Sequence, residues 1–272
     1  MIKSKTRART LINMIGIPSL LAIIYHGGNV FTSFIFVVMF LCTNELKNIC
    51  KIKGYSLNVY LLYIIYSFMF LSYFVEFSVF SINIIFISLC IISFLLEIYN
   101  KSKFSLINTA MTVLAFIWIG HFLDKAIYIR LLDNGFQLMI CIFLSVWVCD
   151  SAAFIVGTKI GKKKIAPLIS PNKTWEGTIA GYIFSVLFIY FLVTSELLNI
   201  NDHTFTIYDI LIMGSIVGVI GQLGDLFESM IKRKFNVKDS GTLLQGHGGV
   251  LDRFDSLLFV IPAFYVYIKI II

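Results

Sequence analysis

Residues 225 to 256 gather chemistry-bearing side chains in a chain that is otherwise 58% hydrophobic and only 14% charged. On a helix, Asp225, Ser229 and Lys232 fall at i, i+4 and i+7 along one stripe, with Glu228 three residues after Asp225. Asp252 and Asp255 are also three apart and share a face. Two acids from different helix ends, Asp225 and Asp252, can converge on a divalent cation. Hard oxygen ligands suit Mg²⁺, which retains water and takes phosphate oxygens. Around them lie Arg233, Lys238, Asp239, Gly241, His247, Gly248, Gly249 and Arg253. Glycines permit tight turns and let backbone N–H groups face an anion. Carboxylates, cations and glycine-rich backbone together form a design for nucleotide or pyrophosphate chemistry, where positioning and charge neutralisation dominate. The sequence carries no Cys/His zinc pattern.

A second polar region precedes this one. Asp150 interrupts the apolar run LSVWVCDSAAFIVG, and an ionisable group at membrane depth marks a functional position because desolvation costs several kcal/mol unless it is paired. Ser151, Ala152 and Ala153 are small enough for a neighbouring helix to approach closely. The following loop, GTKIGKKKIAPLISPNKTWEGT, carries a lysine cluster. Ser170 as N-cap with Pro171 at the first helical position predicts a helix start, and its free N–H groups with Lys173 would form an anion site. Gly157 to Lys162 is one residue too short for a Walker loop and no Ser or Thr follows the lysine, so that reading fails. Trp175 is placed as an interfacial anchor.

The elements that must position these residues are apolar runs of bilayer length, which takes about 20 helical residues. They predict an all-α polytopic membrane protein of about nine transmembrane helices, near 11–28, 30–46, 58–75, 78–97, 106–123, 136–156, 176–196, 207–228 and 254–271. Gly27, Gly28 and Asn29 leave a very tight turn between the first two, with a re-entrant hairpin as the alternative. No small-residue cleavage site follows the first run, which is read as an uncleaved span. With a cytoplasmic N-terminus, all of the 22 basic residues except Lys125, Arg130 and Lys269 fall on the inside. The net charge of +7 thus follows from topology and attraction to anionic headgroups and ligands; it needs no nucleic acid. Residues 1–145 read as packing and lipid-facing helices, in which Glu45, Glu76 and Glu97 are interfacial acids. Residues 146–272 read as the catalytic helices with two cytoplasmic loops. The five cysteines form no CxxC pair and read as ordinary thiols.

The stretch SMIKRKFNVKDSGTLLQGHGGVLDRFDS, residues 229–256, resembles the signature of the phosphatidate cytidylyltransferase (CDP-diacylglycerol synthase) family: S-x-x-K-R, then K-D-x-G, then H-G-G-x-x-D-R-x-D. GDLFES and CDSAAFIVG…GKKKIAPLISPNKTWEG upstream are similar to it too. Gln245 departs from the usual Pro or Gly, and Phe154 from the common Tyr; neither removes a charge. The resemblance implies CTP + phosphatidate → CDP-diacylglycerol + pyrophosphate, with Mg²⁺ and room for a second cation. It implies Asp225 and Asp252 as first metal ligands, with Asp150, Glu228 and Asp255 as further ligands or orienters. Lys173, Lys232, Arg233 and Lys238 would hold the triphosphate or the lipid phosphate; Lys232, Arg233, Ser229, His247 and Arg253 are implied as the catalytic set, and Ser170, Lys173, Lys238, Asp239, Asp150, Gly248 and Gly249 as the substrate-binding set. His247, Gly248 and Gly249 would shape the phosphate loop. The implied setting is a bacterial-type cytoplasmic (inner) membrane with the site on its cytoplasmic face, with CTP, phosphatidate and membrane lipids as partners and a homodimer compatible with it. A lipid-alcohol kinase, a CDP-alcohol phosphotransferase and a transporter are the rivals. The first lacks this signature, the second would show D-G-x-x-A-R, and the third does not explain the cation–glycine loop.

This topology is checked by cysteine labelling in a background cleared of native cysteines. A cysteine at Lys163 is expected to react with a membrane-impermeant maleimide only after permeabilisation of intact cells. One at Asp133 is expected to react without it, and the reverse pattern inverts the orientation.

Overall fold

The computed structural model describes residues 2–75, 82–198, 203–243 and 248–271, with side chains from residue 14 onward. Nine helices occur among them: α1 (Ile2–His26), α2 (Gly28–Lys51), α3 (Val59–Ser72), α4 (Ile82–Asn100), α5 (Ser105–Arg130), α6 (Gly135–Ile160), α7 (Trp175–Thr194), α8 (Ile207–Lys234) and α9 (Leu251–Ile271). Each coincides with one expected apolar run. Seven, α2 and α4–α9, are long and apolar enough to cross a membrane. Helix α3 has 14 residues, about 21 Å at 1.5 Å per residue, short of the roughly 30 Å hydrocarbon core. The apolar part of α1, Met14–His26, is also short. Glu76, Gln245, His247 and residues 199–202 lie outside the described residues.

The helix predicted to begin at Ser170–Pro171 begins later. Ser170–Thr174 is a strand, β2, antiparallel to β1 (Lys164–Ala166). Thr174 then caps α7, its hydroxyl accepting from Gly177 N at 3.2 Å. The lysine-rich loop is therefore a short hairpin within an otherwise helical chain. It is tied to α7 by Trp175 N donating to Lys163 O at 2.9 Å and Lys163 N donating to the Glu176 carboxylate at 3.3 Å. Strand pairing satisfies backbone groups that a helix start would have left open.

Contacts between helix ends sort them onto two faces. On one, Arg130 at the end of α5 donates to Ile24 O at 2.7 Å and Tyr25 O at 3.0 Å at the end of α1. Its guanidinium fills the space a Cβ at Gly27 would need, and Gly27 has φ +60°. On that face by chain direction, Thr206 and Asp209 form a capping box opening α8, and Tyr267 near the end of α9 donates to Asp209. On the opposite face, Ser56 N and Asn58 N before α3 donate to Asn108 Oδ1 and Thr112 Oγ1 at 2.8 and 3.1 Å. Asn108 also donates to Glu97 at 2.9 Å. This second face carries the hairpin, the end of α8 and the start of α9. Helices α5 and α8 each contain a π segment, Phe116–His121 and Ile216–Gly221. The second directly precedes Gln222 and Asp225, and π segments often mark functional sites.

Helices α6 and α7 pack most extensively of any pair, through small residues as expected of Ala153. A Cβ added at Gly177 would stand 2.6 Å from Ala153 O, and one at Gly181 3.0 Å from Cys149 O. Close backbone approach of this kind is how membrane helices gain dispersion contacts. Gly177→Ala is expected to force these helices apart and to destabilise the fold by about 1–3 kcal/mol, the usual cost of overpacking. A thermal midpoint in detergent unchanged from wild type would contradict that contact.

Candidate active site

Helix α8 emerges from its π segment as QLGDLFESMIKRK and presents the predicted stripe. Lys232 is its centre. Its Nζ donates to Glu228 Oε2 one turn earlier and to Asp252 Oδ1 from α9, both at 2.6 Å. All three are shielded: Lys232 is 8% exposed and Glu228 fully buried. Charge-assisted bonds this short are strong, and in a low-dielectric setting they lock α8 to the start of α9. A second pair lies one turn away, where Lys173 from β2 meets Asp225 Oδ2 at 2.7 Å. Lys173 also donates to Gln222 O at 3.2 Å. Ser229 donates to Asp225 Oδ1 at 3.3 Å. Asp255 and Asp150 lie within electrostatic reach of Asp225, and Glu228 is within reach of Asp255.

Asp252 is saturated with donors. Besides Lys232, its Oδ2 accepts from Gly249 N at 2.7 Å, Ser240 N at 2.9 Å and Ser240 Oγ at 3.0 Å. Gly248 has φ +82°, and a Cβ there would overlap the Asp252 carboxylate, so only glycine fits this turn. A second carboxylate meets the same segment from α2. Glu45, 6% exposed, accepts from Ser240 Oγ at 2.8 Å, Val250 N at 2.8 Å and Leu251 N at 2.9 Å. It was expected to be an interfacial acid; it is buried against the glycine turn.

The Cytidylyltransferase family matches residues 7–271 of this chain. A phosphatidate cytidylyltransferase of Staphylococcus haemolyticus (strain JCSC1435) is 35% identical over 263 residues, covering 94% of this chain and 96% of that protein. One of Staphylococcus saprophyticus subsp. saprophyticus is 33% identical over 273 residues with the same coverage. One of Staphylococcus aureus (strain COL) is 39% identical over 178 residues, covering 64% of this chain and 66% of that protein. This chain belongs to the cytidylyltransferase family. It is a CTP-using nucleotidyltransferase.

The cytidylyltransferase signature is thus partly a set of internal ties. Asp150, Lys173, Asp225, Glu228, Ser229, Lys232, Asp252 and Asp255 are brought into one neighbourhood. Arg233 points elsewhere, donating through Nε to Ile169 O at 3.1 Å and through Nη1 to Val237 O at 2.9 Å, and so braces the hairpin against α8. Lys238, Asp239 and Arg253 are exposed and Ser170 half-buried. Three residues of the site were not picked out in the sequence. Glu45 is one. Ser240, between the carboxylates of Glu45 and Asp252, is another. Gln222 is the third, its amide donating to Thr178 O at 3.1 Å and Gly218 O at 2.8 Å and so joining α7 to α8. An amide inside an apolar helical run was the available signal for Gln222; nothing local distinguished Glu45.

Among the described residues, no three His, Cys, Asp or Glu side chains form a metal cage by themselves. Mg²⁺ commonly uses only one or two carboxylates and completes its shell with substrate phosphates and water. The donor set fits that mode. Asp150, Asp225, Glu228, Asp252 and Asp255 outnumber Lys173 and Lys232, which pair with Asp225, Glu228 and Asp252. Glu228 Oε1 is buried with no partner.

Removing Lys232 would leave two buried carboxylates uncompensated. Lys232→Met in this cytidylyltransferase is expected to cost about 3–5 kcal/mol, the scale for breaking a buried ion pair. Adding Glu228→Gln should restore part of that loss. Chemical unfolding in detergent reads both, and a double variant less stable than Lys232→Met alone would refute the bridge.

Proposed function

We propose that this chain is a phosphatidate cytidylyltransferase of the cytoplasmic membrane, forming CDP-diacylglycerol and pyrophosphate from CTP and phosphatidate on the cytoplasmic face. The observation that carries this reading is the convergence of the two lysine–carboxylate groups, Lys173–Asp225 and Glu228–Lys232–Asp252, on the helix-end face that bears the basic hairpin. The relatives bearing that enzyme name align with 94% of the chain.

The phosphate monoester of phosphatidate is anionic near neutral pH, so one of its oxygens attacks the α-phosphorus of CTP without a strong base. The new P–O bond forms as the bond between the α-phosphorus and the bridging oxygen breaks, and pyrophosphate leaves with that oxygen. The difficulty is the meeting of two polyanions. Lys173, from the hairpin strand β2, and Lys232, from α8, bring positive charge to it from two elements. Lys238 and Arg253, exposed beyond the buried pairs, extend that charge toward the aqueous side, where the triphosphate arrives. Gly248 lies in the turn that Asp252 organises. Asp225 with Asp255 and Asp150 would hold Mg²⁺, with Glu228 beside them. Bound there, Mg²⁺ would neutralise phosphate charge and polarise the α-phosphoryl group. Asp252 in this reading orients Lys232 and the glycine turn, since both its oxygens are already met by donors.

Lipid access has a structural counterpart. An apolar groove of about 420 Å³ lies between α7 and α8, lined by Trp175, Ile179, Tyr182, Val219, Gln222 and Leu223 among others. Gln222 lines it and its carbonyl holds Lys173. An acyl chain in that groove would put its phosphate next to Lys173.

The test follows [α-³²P]CTP into the chloroform-soluble phase, using purified protein, phosphatidate and Mg²⁺ in detergent. Wild type is expected to form labelled lipid only with a divalent cation. Asp225→Asn is expected to lose activity by about 100-fold or more while remaining folded, the scale for removing an electrostatic element of the transition state. No labelled lipid from folded wild type would refute the assignment.

A further inference from the structure

We propose that Glu45, from the half of the chain outside the signature, is a positioning residue that holds Ser240 and the 248–252 turn in the register the site uses. This rests on the cytidylyltransferase reading above. The Glu45 carboxylate engages three donors from these two separated parts of the segment: the Ser240 hydroxyl before the glycine turn, and Val250 N and Leu251 N after it. None of these donors is a charged side chain, so the carboxylate is stabilised by oriented dipoles supplied by the segment itself. Desolvating a carboxylate is costly unless such bonds are made, and that cost penalises any loop position that breaks them.

The fit is close on every side. A Cβ at Gly241 would stand 2.8 Å from Glu45 Oε1, and one at Gly249 would overlap both the Glu45 carboxylate and the Ser240 hydroxyl. Two glycines of the signature are thereby explained as clearance for Glu45. Ser240 Oγ lies 2.8 Å from Glu45 Oε2 and 3.0 Å from Asp252 Oδ2. The chain of contacts then runs from Asp252 to Lys232 Nζ at 2.6 Å. Cys42 on α2, one turn before Glu45, is within electrostatic reach of both Glu228 and Asp252, so α2 runs directly beside this network. Glu45 thus acts through Ser240 and Asp252 and reaches the lysine one step removed.

The experiment uses the full-length protein in detergent and has two readouts. Hydrogen exchange reports on the amides of residues 240 and 249–251 without reference to activity. Steady-state kinetics report kcat and KM for CTP and phosphatidate. Glu45→Gln is expected to speed exchange in this segment about tenfold or more while amides in α6 and α7 keep their protection. It is expected to lower kcat about tenfold with KM for CTP and the thermal midpoint little changed, the pattern of a lost transition-state arrangement. Gly241→Ala, which pushes the carboxylate from the other side, should give the same pattern, and the double variant should be less than additive. Glu97→Gln, a buried acid of the same half that bonds Asn108, should leave kcat unchanged. Unchanged exchange in both Glu45→Gln and Gly241→Ala overturns the proposal. So does faster exchange with unchanged kcat, or a kcat that falls only in proportion to the folded fraction. Wild type that makes no labelled lipid refutes the cytidylyltransferase reading instead, and the exchange data still decide whether Glu45 holds the segment.

Discussion

Lys232 between Glu228 and Asp252 is the constraint on which the site depends. A buried ammonium is tolerable only with carboxylates at contact distance, and here the two acids come from different helices, each 2.6 Å away. This fixes the end of α8 against the start of α9. Once Asp252 is held by Lys232, its second oxygen is free to organise the turn that leads into α9, and it does so through Ser240 and Gly249. The turn in its own right can exist only because Gly248 takes a positive φ. Placement of charge, helix docking and loop shape are therefore one problem with one solution.

That solution changes how the glycine-rich segment is understood. Backbone N–H groups in such turns are ready anion sites, and the sequence reading assigned them to phosphate. In the folded chain, those of Gly249, Val250 and Leu251 are directed at the protein's own Asp252 and Glu45. The internal carboxylates occupy the place of a bound anion and hold the turn before any ligand arrives. A site prepared in this way avoids ordering a loop at the moment of reaction, which is the advantage of preorganisation in charge-stabilising catalysis. In the proposed mechanism, phosphate recognition then falls to side chains, to Lys173 and Lys232 and to a cation that the surplus acids would hold.

Much of this was legible in the sequence, and the limits have physical causes. The stripe Asp225, Glu228, Ser229, Lys232 was readable because helical spacing is local, and the structure shows the Ser229–Asp225 and Lys232–Glu228 bonds that spacing allows. The nine apolar runs were readable because hydropathy is also local, although α3, at 14 residues, falls short of a full crossing. Ser170–Pro171 was misplaced as a helix start because the local cap signal competed with a strand partner, Lys164–Ala166, that composition does not announce. Thr174, which takes the cap, is equally eligible by residue type. Glu45 was missed for a deeper reason. Its hydroxyl donor lies 195 residues further along the chain, and no periodicity links them.

Glu45 ties the half expected to pack to the half expected to be catalytic, through Ser240, Val250 and Leu251. A lysine-rich, acid-rich site carries internal repulsion that α8 and α9 alone would have to restrain. Helix α2 supplies the third wall, and its contribution is a charge instead of apolar surface. Placing that charge on a helix of 24 residues gives the turn a support outside its own segment. Arg233 performs the same service on the other side, bracing the hairpin that carries Lys173 through carbonyls at Ile169 and Val237. The lysine that meets Asp225 and the lysine that meets Asp252 are thus held by independent supports.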